Sequence, residues 1–152
     1  MGQNHRLGHM LAALAEAEAA AARGEVPVGA VVVGADGTVL ASAGNRTREL
    51  ADPTAHAEML AIRQACAALG SERLGEADIY VTLEPCPMCA AAISLARLRR
   101  LYFGAGDPKG GGVEHGPRIF SQPTCHHAPE VYGGIEEVRS GALLRAFFAA
   151  RR

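Results

Sequence analysis

The sequence predicts a single α/β domain, residues 1–152, with helices on both faces of its sheet. Three observations predict this class. After an opening hairpin, β-branched runs alternate with helical segments. A chain of 152 residues with 49% hydrophobic content can bury a substantial core. No linker, internal repeat or low-complexity tract divides it, and with 20% charged residues it lacks the composition of a disordered chain.

The elements follow in order. Residues 7–22 place Leu7, Met10, Leu11 and Leu14 at helical spacing, and Gly24 ends that helix. Val26 to Val33 is a β-branched run suited to a buried strand. Gly34-Ala35-Asp36-Gly37 is turn chemistry, and Thr38 to Ala43 returns as the second arm of an antiparallel hairpin. After a polar loop, Thr54 is the expected cap of a helix running to Leu69, stopped by Gly70. Asp78 to Leu83 is the third strand. Pro87 starts the next helix, which runs to about Ala96, and Arg100 to Phe103 is a short fourth strand. Residues 104–134 form a long glycine- and proline-rich loop of the kind that is usually functional. Ile135 to Val138 is the expected fifth strand. Ser140 is the expected cap of a last helix whose apolar side carries Leu143, Leu144, Phe147 and Phe148.

Composition narrows the functional classes. The net charge of −1 is not the footprint of a general nucleic-acid binder. Fourteen arginines stand against the single lysine Lys109, which reflects either codon bias or a use of Arg for planar phosphate contacts. Glu16 and Glu18 interrupt the apolar N-terminal stretch, so no signal-peptide pattern forms, and no apolar run is long enough for a bilayer. A soluble, cytoplasmic protein with no membrane association is expected. Four cysteines in such a chain argue against a disulfide framework.

The chemistry lies in two motifs. His56-Ala57-Glu58 opens the second helix and Pro85-Cys86-Pro87-Met88-Cys89 opens the third, each after a strand and a loop. Catalytic zinc takes three nitrogen or sulfur ligands and leaves one position for water, a quota that His56, Cys86 and Cys89 fill. Helix N-termini favour the thiolates. Glu58 would move protons between water and the leaving nitrogen. Residues i and i+2 of a regular helix do not share a face, so His56 and Glu58 can meet one cavity only if His56 stands at an irregular start of the helix. Alone, Cys-x-x-Cys also suits a redox pair or half of a structural zinc site. The first leaves His56-Ala57-Glu58 without a role, and the second needs a fourth ligand that has no clear place. The combined pattern is the signature of zinc nucleobase deaminases.

At this point the chain resembles the bacterial tRNA-specific adenosine deaminases over nearly its whole length. The resemblance runs through Glu25-Val26-Pro27-Val28-Gly29-Ala30-Val31, Gly44-Asn45-Arg46, Asp52-Pro53-Thr54-Ala55-His56-Ala57-Glu58 and Tyr80-Val81-Thr82-Leu83-Glu84-Pro85-Cys86. It continues in Met88-Cys89-Ala90, Phe103-Gly104-Ala105 and Asp107-Pro108-Lys109. It implies the three-layer α/β/α cytidine deaminase-like fold, with a central five-stranded mixed sheet. It also implies a homodimer, one Zn²⁺ per subunit, and conversion of the wobble adenosine of a tRNA anticodon loop to inosine. By the same resemblance Asn45 contacts the flipped nucleoside, backbone around Leu83, Glu84, Pro85 and Cys86 lines the base pocket, and Asp107 and Lys109 lie beside ribose and flanking phosphates. In physical terms, a single-stranded anticodon loop makes extrusion of the target base cheap. Asn45 alone would equally suit a turn at a strand end.

Two other functions share these motifs. A guanine or other free-nucleobase deaminase carries the same metal pattern. A non-catalytic RNA-binding subunit is disfavoured by the retained Glu58. Asp107-Pro108-Lys109 and the tail arginines Arg145, Arg151 and Arg152 favour tRNA. Cys125-His126-His127 lacks a ligand set of clear spacing and suits loop packing. Cys66 suits the core, and Arg97, Arg99 and Arg100 suit a solvated face or salt bridges, with phosphate binding as the alternative.

Overall fold

The computed structural model describes residues 2–151, with side chains from residue 5 onward. Helix α1 spans Gly2–Ala22 and is followed by the hairpin β1 (Gly29–Val33) and β2 (Val39–Gly44). Then come α2 (Ala57–Leu69), β3 (Asp78–Leu83), α3 (Pro87–Leu95) and β4 (Arg100–Ala105). A short 3-10 turn at Ile119–Ser121 precedes β5 (Glu130–Tyr132) and α4 (Glu137–Ala149). The five strands form one mixed sheet in the order β2-β1-β3-β4-β5. β1 is antiparallel to both β2 and β3, whereas β3, β4 and β5 are parallel. Helix α3 supplies the crossover that the parallel pair β3–β4 requires.

The alternation of side chains along each strand divides the core in two. Ala30, Val32, Ile79, Val81, Leu101 and Phe103 face α2 and α3, where Ala57, Ala61, Ile62, Ala65, Ala90 and Ile93 are buried against them. Val31, Val33, Tyr80 and Tyr102 face α1, against Met10, Ala13 and Leu14. Helix α4 lies on this second face, where Ser140 packs against Gly104 of β4. Tyr80, Tyr102 and Tyr132 occupy paired positions of β3, β4 and β5, and their rings stack at 4.4 and 5.2 Å. Those separations follow from the spacing of adjacent strands, so the ladder is a product of register.

Gly29 is where α1 meets the sheet most closely. A Cβ there would collide with the Ala13 carbonyl oxygen and lie 2.7 Å from the Ala17 nitrogen. Both obstacles are backbone, so relief requires moving the helix. Gly29→Ala should cost about 3 kcal/mol, seen as a fall in Tm of about 6–12 °C in a thermal melt. A melt within 2 °C of wild type would refute this tight crossing.

Several elements depart from expectation. Helix α1 starts five residues earlier than its apolar spacing suggested. Val26 to Val28 precede β1, because Val28 N–H turns back to the Val26 carbonyl (2.8 Å). Thr54 is not the cap of α2: its amide and hydroxyl both donate to the Asp52 carboxylate (2.8 and 2.7 Å) and His56 takes that position. Ile135 to Val138 is not a strand. Gly134 and Glu136 adopt left-handed backbone (φ 85 and 58), which breaks any extended path, and the fifth strand lies earlier, at Glu130–Tyr132. Ser140 is not a cap but sits inside α4, and its buried Oγ has no hydrogen-bond partner among the described residues.

Because β1 runs against both neighbours, β2, β3 and β4 all point the same way. Their C-terminal ends share one edge of the sheet, and the segments bearing Asn45, Glu84 and Asp107 leave from it. This edge is the usual location of ligand sites in open α/β sheets.

Candidate active site

His56 is the N-cap of α2, with extended backbone (φ −70, ψ 153). Its side chain therefore projects ahead of the helix while Glu58 lies in the first turn, and both line one cavity of about 260 Å³. The irregular helix start that His56 and Glu58 require is thus present. Cys86 is likewise the extended N-cap of α3 (φ −69, ψ 170), with Pro87 in the first turn and Cys89 fully buried just behind it. Two helix N-termini converge on the site, and both favour negative charge there.

His56 Nδ1 lies 3.6 Å from Cys86 Sγ and 3.4 Å from Cys89 Sγ. All three ligand atoms fall within 4.8 Å of one another, and they are the only such group of three among the described residues. Tetrahedral zinc, with Zn–S of about 2.3 Å and Zn–N of about 2.0–2.1 Å, demands N···S edges of about 3.5 Å. The observed edges meet that demand, so this donor set fits the ion in both chemistry and spacing.

The electrostatics match the arrangement. The neighbouring Cys89 and His56 outweigh burial and hold the Cys86 thiol down at about 4. Cys89 is held far above the ordinary thiol range by the adjacent Cys86 sulfur and by burial. The hydrogen bond with Cys86 raises His56. Glu58 is only 4% exposed, and burial pushes its carboxyl up to about 7 against the pull of its own backbone amide and His56.

Asn45, Leu83, Glu84 and Asp107 line the same cavity, together with Val26, Val28, Thr47 and Gly110. Asn45 is buried, and its Nδ2 donates to Glu25 Oε1 (3.4 Å) and Thr47 Oγ1 (3.2 Å). A carboxylate can only accept, which fixes the amide's orientation and leaves its Oδ1 as the acceptor. Asp107 folds its loop by accepting from the amides of Lys109 and Gly110 (3.2 and 3.0 Å). Pro85 is buried and Lys109 is exposed, and neither lines the cavity. The Glu84 side chain turns away from the cavity into the loop after β4. Burial alone would raise its carboxyl, but hydrogen bonds from Asp107, His115, Val113 and Glu114 hold it below the usual range.

Glu25 is the residue to which sequence reading gave no role. It is 2% exposed, and besides Asn45 it accepts from the amides of Arg48 (3.1 Å) and Glu49 (2.8 Å), bracing residues 45–49 beside the cavity. Its sequence signals are its place at the head of the Glu25–Val31 motif and an acid set against the apolar run that begins at Val26.

Other sequence features lie elsewhere. His127 Nε2 donates to the Leu98 carbonyl (2.7 Å), and Cys125 Sγ to the His127 carbonyl (3.1 Å), so these side chains fasten their loop. Cys66 is partly buried against the core. Arg99 pairs with Asp78, and Arg100 pairs with both Asp78 and Glu130, at the far end of the sheet. Arg151 stacks on the Phe147 ring at 3.5 Å, while Arg152 lies outside the described residues.

Known proteins sharpen the picture. Residues 3–105 match the family model for the cytidine and deoxycytidylate deaminase zinc-binding region. The chain is 65% identical over 147 residues to a tRNA-specific adenosine deaminase of Agrobacterium fabrum, covering 97% of this chain and 96% of that one. A solved structure from work on A-to-I editing by tRNA:A34 deaminases at the wobble position superposes with a TM-score of 0.88. It is 66% identical and covers 90% of this chain and 99% of its own. A guanine deaminase from Bacillus subtilis is more distant: TM-score 0.63, 37% identity, 70% of this chain and 66% of that one.

Proposed function

Because the chain belongs to the tRNA-specific adenosine deaminases, within the cytidine and deoxycytidylate deaminase zinc-binding family, we propose that it converts the wobble adenosine of a tRNA anticodon to inosine by hydrolysis. The observation that carries this reading is one His and two Cys at tetrahedral spacing, two of them, His56 and Cys86, lining a cavity together with the buried carboxyl of Glu58. The likeness over nearly the whole chain supports an adenosine in tRNA over free guanine. We read residues 1–152 as one deaminase domain.

His56, Cys86 and Cys89 would hold one zinc per chain, whose Lewis acidity lets water lose a proton near neutral pH. Glu58 is the proton carrier: it takes a proton from water and delivers it to the exocyclic nitrogen of adenine. The water oxygen ends on C6 and the nitrogen departs as ammonia. Burial of Glu58 keeps bulk water from competing for that proton. Asn45 presents Oδ1 to the nucleoside, Leu83 and the backbone of Glu84 shape the base pocket, and Pro85 supports that turn from behind. Asp107 and Lys109 stand on the loop that meets ribose and flanking phosphate.

Asn45→Ala removes one pocket acceptor and leaves the metal set alone. KM for an anticodon stem-loop should rise about tenfold, with kcat within about threefold. A fall in kcat alone would contradict a binding role.

No helix among the described residues is long and apolar enough to cross a membrane, and tRNA as substrate favours the cytoplasm. The likeness to the deaminase family over nearly the whole chain is what supports a homodimer. The deciding experiment offers purified protein an anticodon stem-loop, free adenosine and free guanine. It follows inosine and guanine by mass spectrometry and measures zinc and particle mass on the same sample. Guanine turnover without inosine in the RNA would overturn the reading, and a monomeric mass would overturn the dimer.

A further inference from the structure

One buried side chain joins the turn that carries the metal ligands to the loop that carries Asp107. Glu84 lies two residues before Cys86, and its carboxylate has no exposed surface. Oε1 accepts from the Asp107 amide (2.9 Å) and pairs with His115 Nδ1 (2.6 Å). Oε2 accepts from three consecutive amides, those of Val113, Glu114 and His115 (3.1, 2.9 and 3.1 Å). Successive amides arranged in this way make an anion-binding concavity, here filled by the protein's own carboxylate.

The glycine run beside it is shaped to the same contact. Gly111 sits against the Glu84 carboxylate, where a Cβ would lie 2.5 Å from Cδ. Gly112 packs on the start of α3, where a Cβ would lie 2.6 Å from the Pro87 nitrogen, and its amide donates to the Pro85 carbonyl (2.8 Å). Glu84 therefore sets where residues 106–116 stand relative to Cys86 and Cys89. Asp107 and Gly110, which line the cavity, are carried by that segment.

We propose that Glu84 is a positioning residue: it touches no reacting atom, and it holds the loop of residues 106–116 closed as one wall of the substrate pocket, with His115 as its partly exposed partner. This inference rests on the deaminase reading. An acceptor-only group meets five donors, so replacing either oxygen by an amide nitrogen sets donor against donor. A loop closed for only a fraction of the time weakens apparent substrate affinity by that fraction. Bound RNA restores the closed form, so the rate of the bound complex is spared.

Glu84→Gln should raise KM for the anticodon stem-loop about tenfold, with kcat within about twofold. Zinc content should remain at the wild-type value, and amide hydrogen exchange at Asp107, Val113, Glu114 and His115 should speed up. His115→Ala removes one of the five donors from a partly exposed position, and KM should rise about threefold. Loss of kcat at unchanged KM, loss of zinc, or unchanged exchange in Glu84→Gln would each overturn the proposal. If Glu84→Gln does not fold, His115→Ala decides, and an unchanged KM there overturns it. If wild-type protein does not deaminate the RNA, the functional reading fails, while the exchange measurement still decides what Glu84 holds.

Discussion

Glu58→Ala should lower turnover of an anticodon stem-loop by about three to four orders of magnitude, with zinc content and RNA affinity close to wild type. The reasoning starts from geometry. Glu58 lies in the first turn of α2, two residues beyond the extended N-cap His56, so its removal leaves the positions of His56, Cys86 and Cys89 to the helix starts that fix them. What disappears is the buried Glu58 carboxyl that lines the cavity beside those ligands. The asymmetry between activity and stability is itself diagnostic. Burial opposes the charged form of this carboxyl, and the protein maintains it against that cost. The alanine variant should therefore melt no lower than wild type, as expected where stability has been given up for chemistry. Single-turnover kinetics, metal analysis and a thermal melt on one preparation check all three. Retained turnover would remove Glu58 from the chemistry, and loss of zinc together with turnover would make it a support for the metal.

Some parts of this molecule can be read from the chain because local and global preferences agree. Ile79–Leu83 is a largely β-branched and aromatic run between Asp78 and Glu84, and the strand occupies Asp78–Leu83. Gly24 and Gly70 end their helices because both adopt left-handed backbone (φ 84 and 63). His56 and Cys86–Cys89 are legible for a deeper reason. Each stands at a helix start, and the residues around each start also fix the backbone that aims the ligand.

Other parts are illegible because their cause is a distant partner. β5 is three residues long, and it exists because β4 offers it a parallel edge; nothing in Glu130-Val131-Tyr132 demands it. Ile135-Glu136-Glu137-Val138 looks extended by composition, yet the left-handed Glu136 turns it into a helix start. Glu25 and Glu84 are the sharpest case. An isolated acid in a sequence reads as surface, and only the fold reveals the amides of residues 48–49 and of residues 107 and 113–115 that surround these two carboxylates. The pocket's chemical centre is encoded locally, whereas its two side walls are encoded by buried carboxylates reaching across twenty residues or more.

Removal of the metal should abolish turnover to the background of the uncatalysed reaction while leaving the fold in place. The donor set of one imidazole and two thiolates is soft, so zinc should restore activity to the stripped protein and magnesium should not. Cys89 is fully buried and half-buried Cys86 stands in front of it, so stripping by a chelator should be slow and should accelerate in mild denaturant. The fold should survive because its layers are joined by other means. Ala57, Ala61 and Ile62 of α2, and Ala90 and Ile93 of α3, are buried against the sheet independently of the three ligands. The apo protein should keep its far-ultraviolet circular dichroism, and its Tm should fall by an amount that depends on free zinc, as linkage requires of a ligand bound only by the folded form. Wholesale unfolding on chelation would mean that the metal holds the layers together. Full activity in protein shown by metal analysis to be stripped would mean that the convergence of His56, Cys86 and Cys89 serves no ion at all.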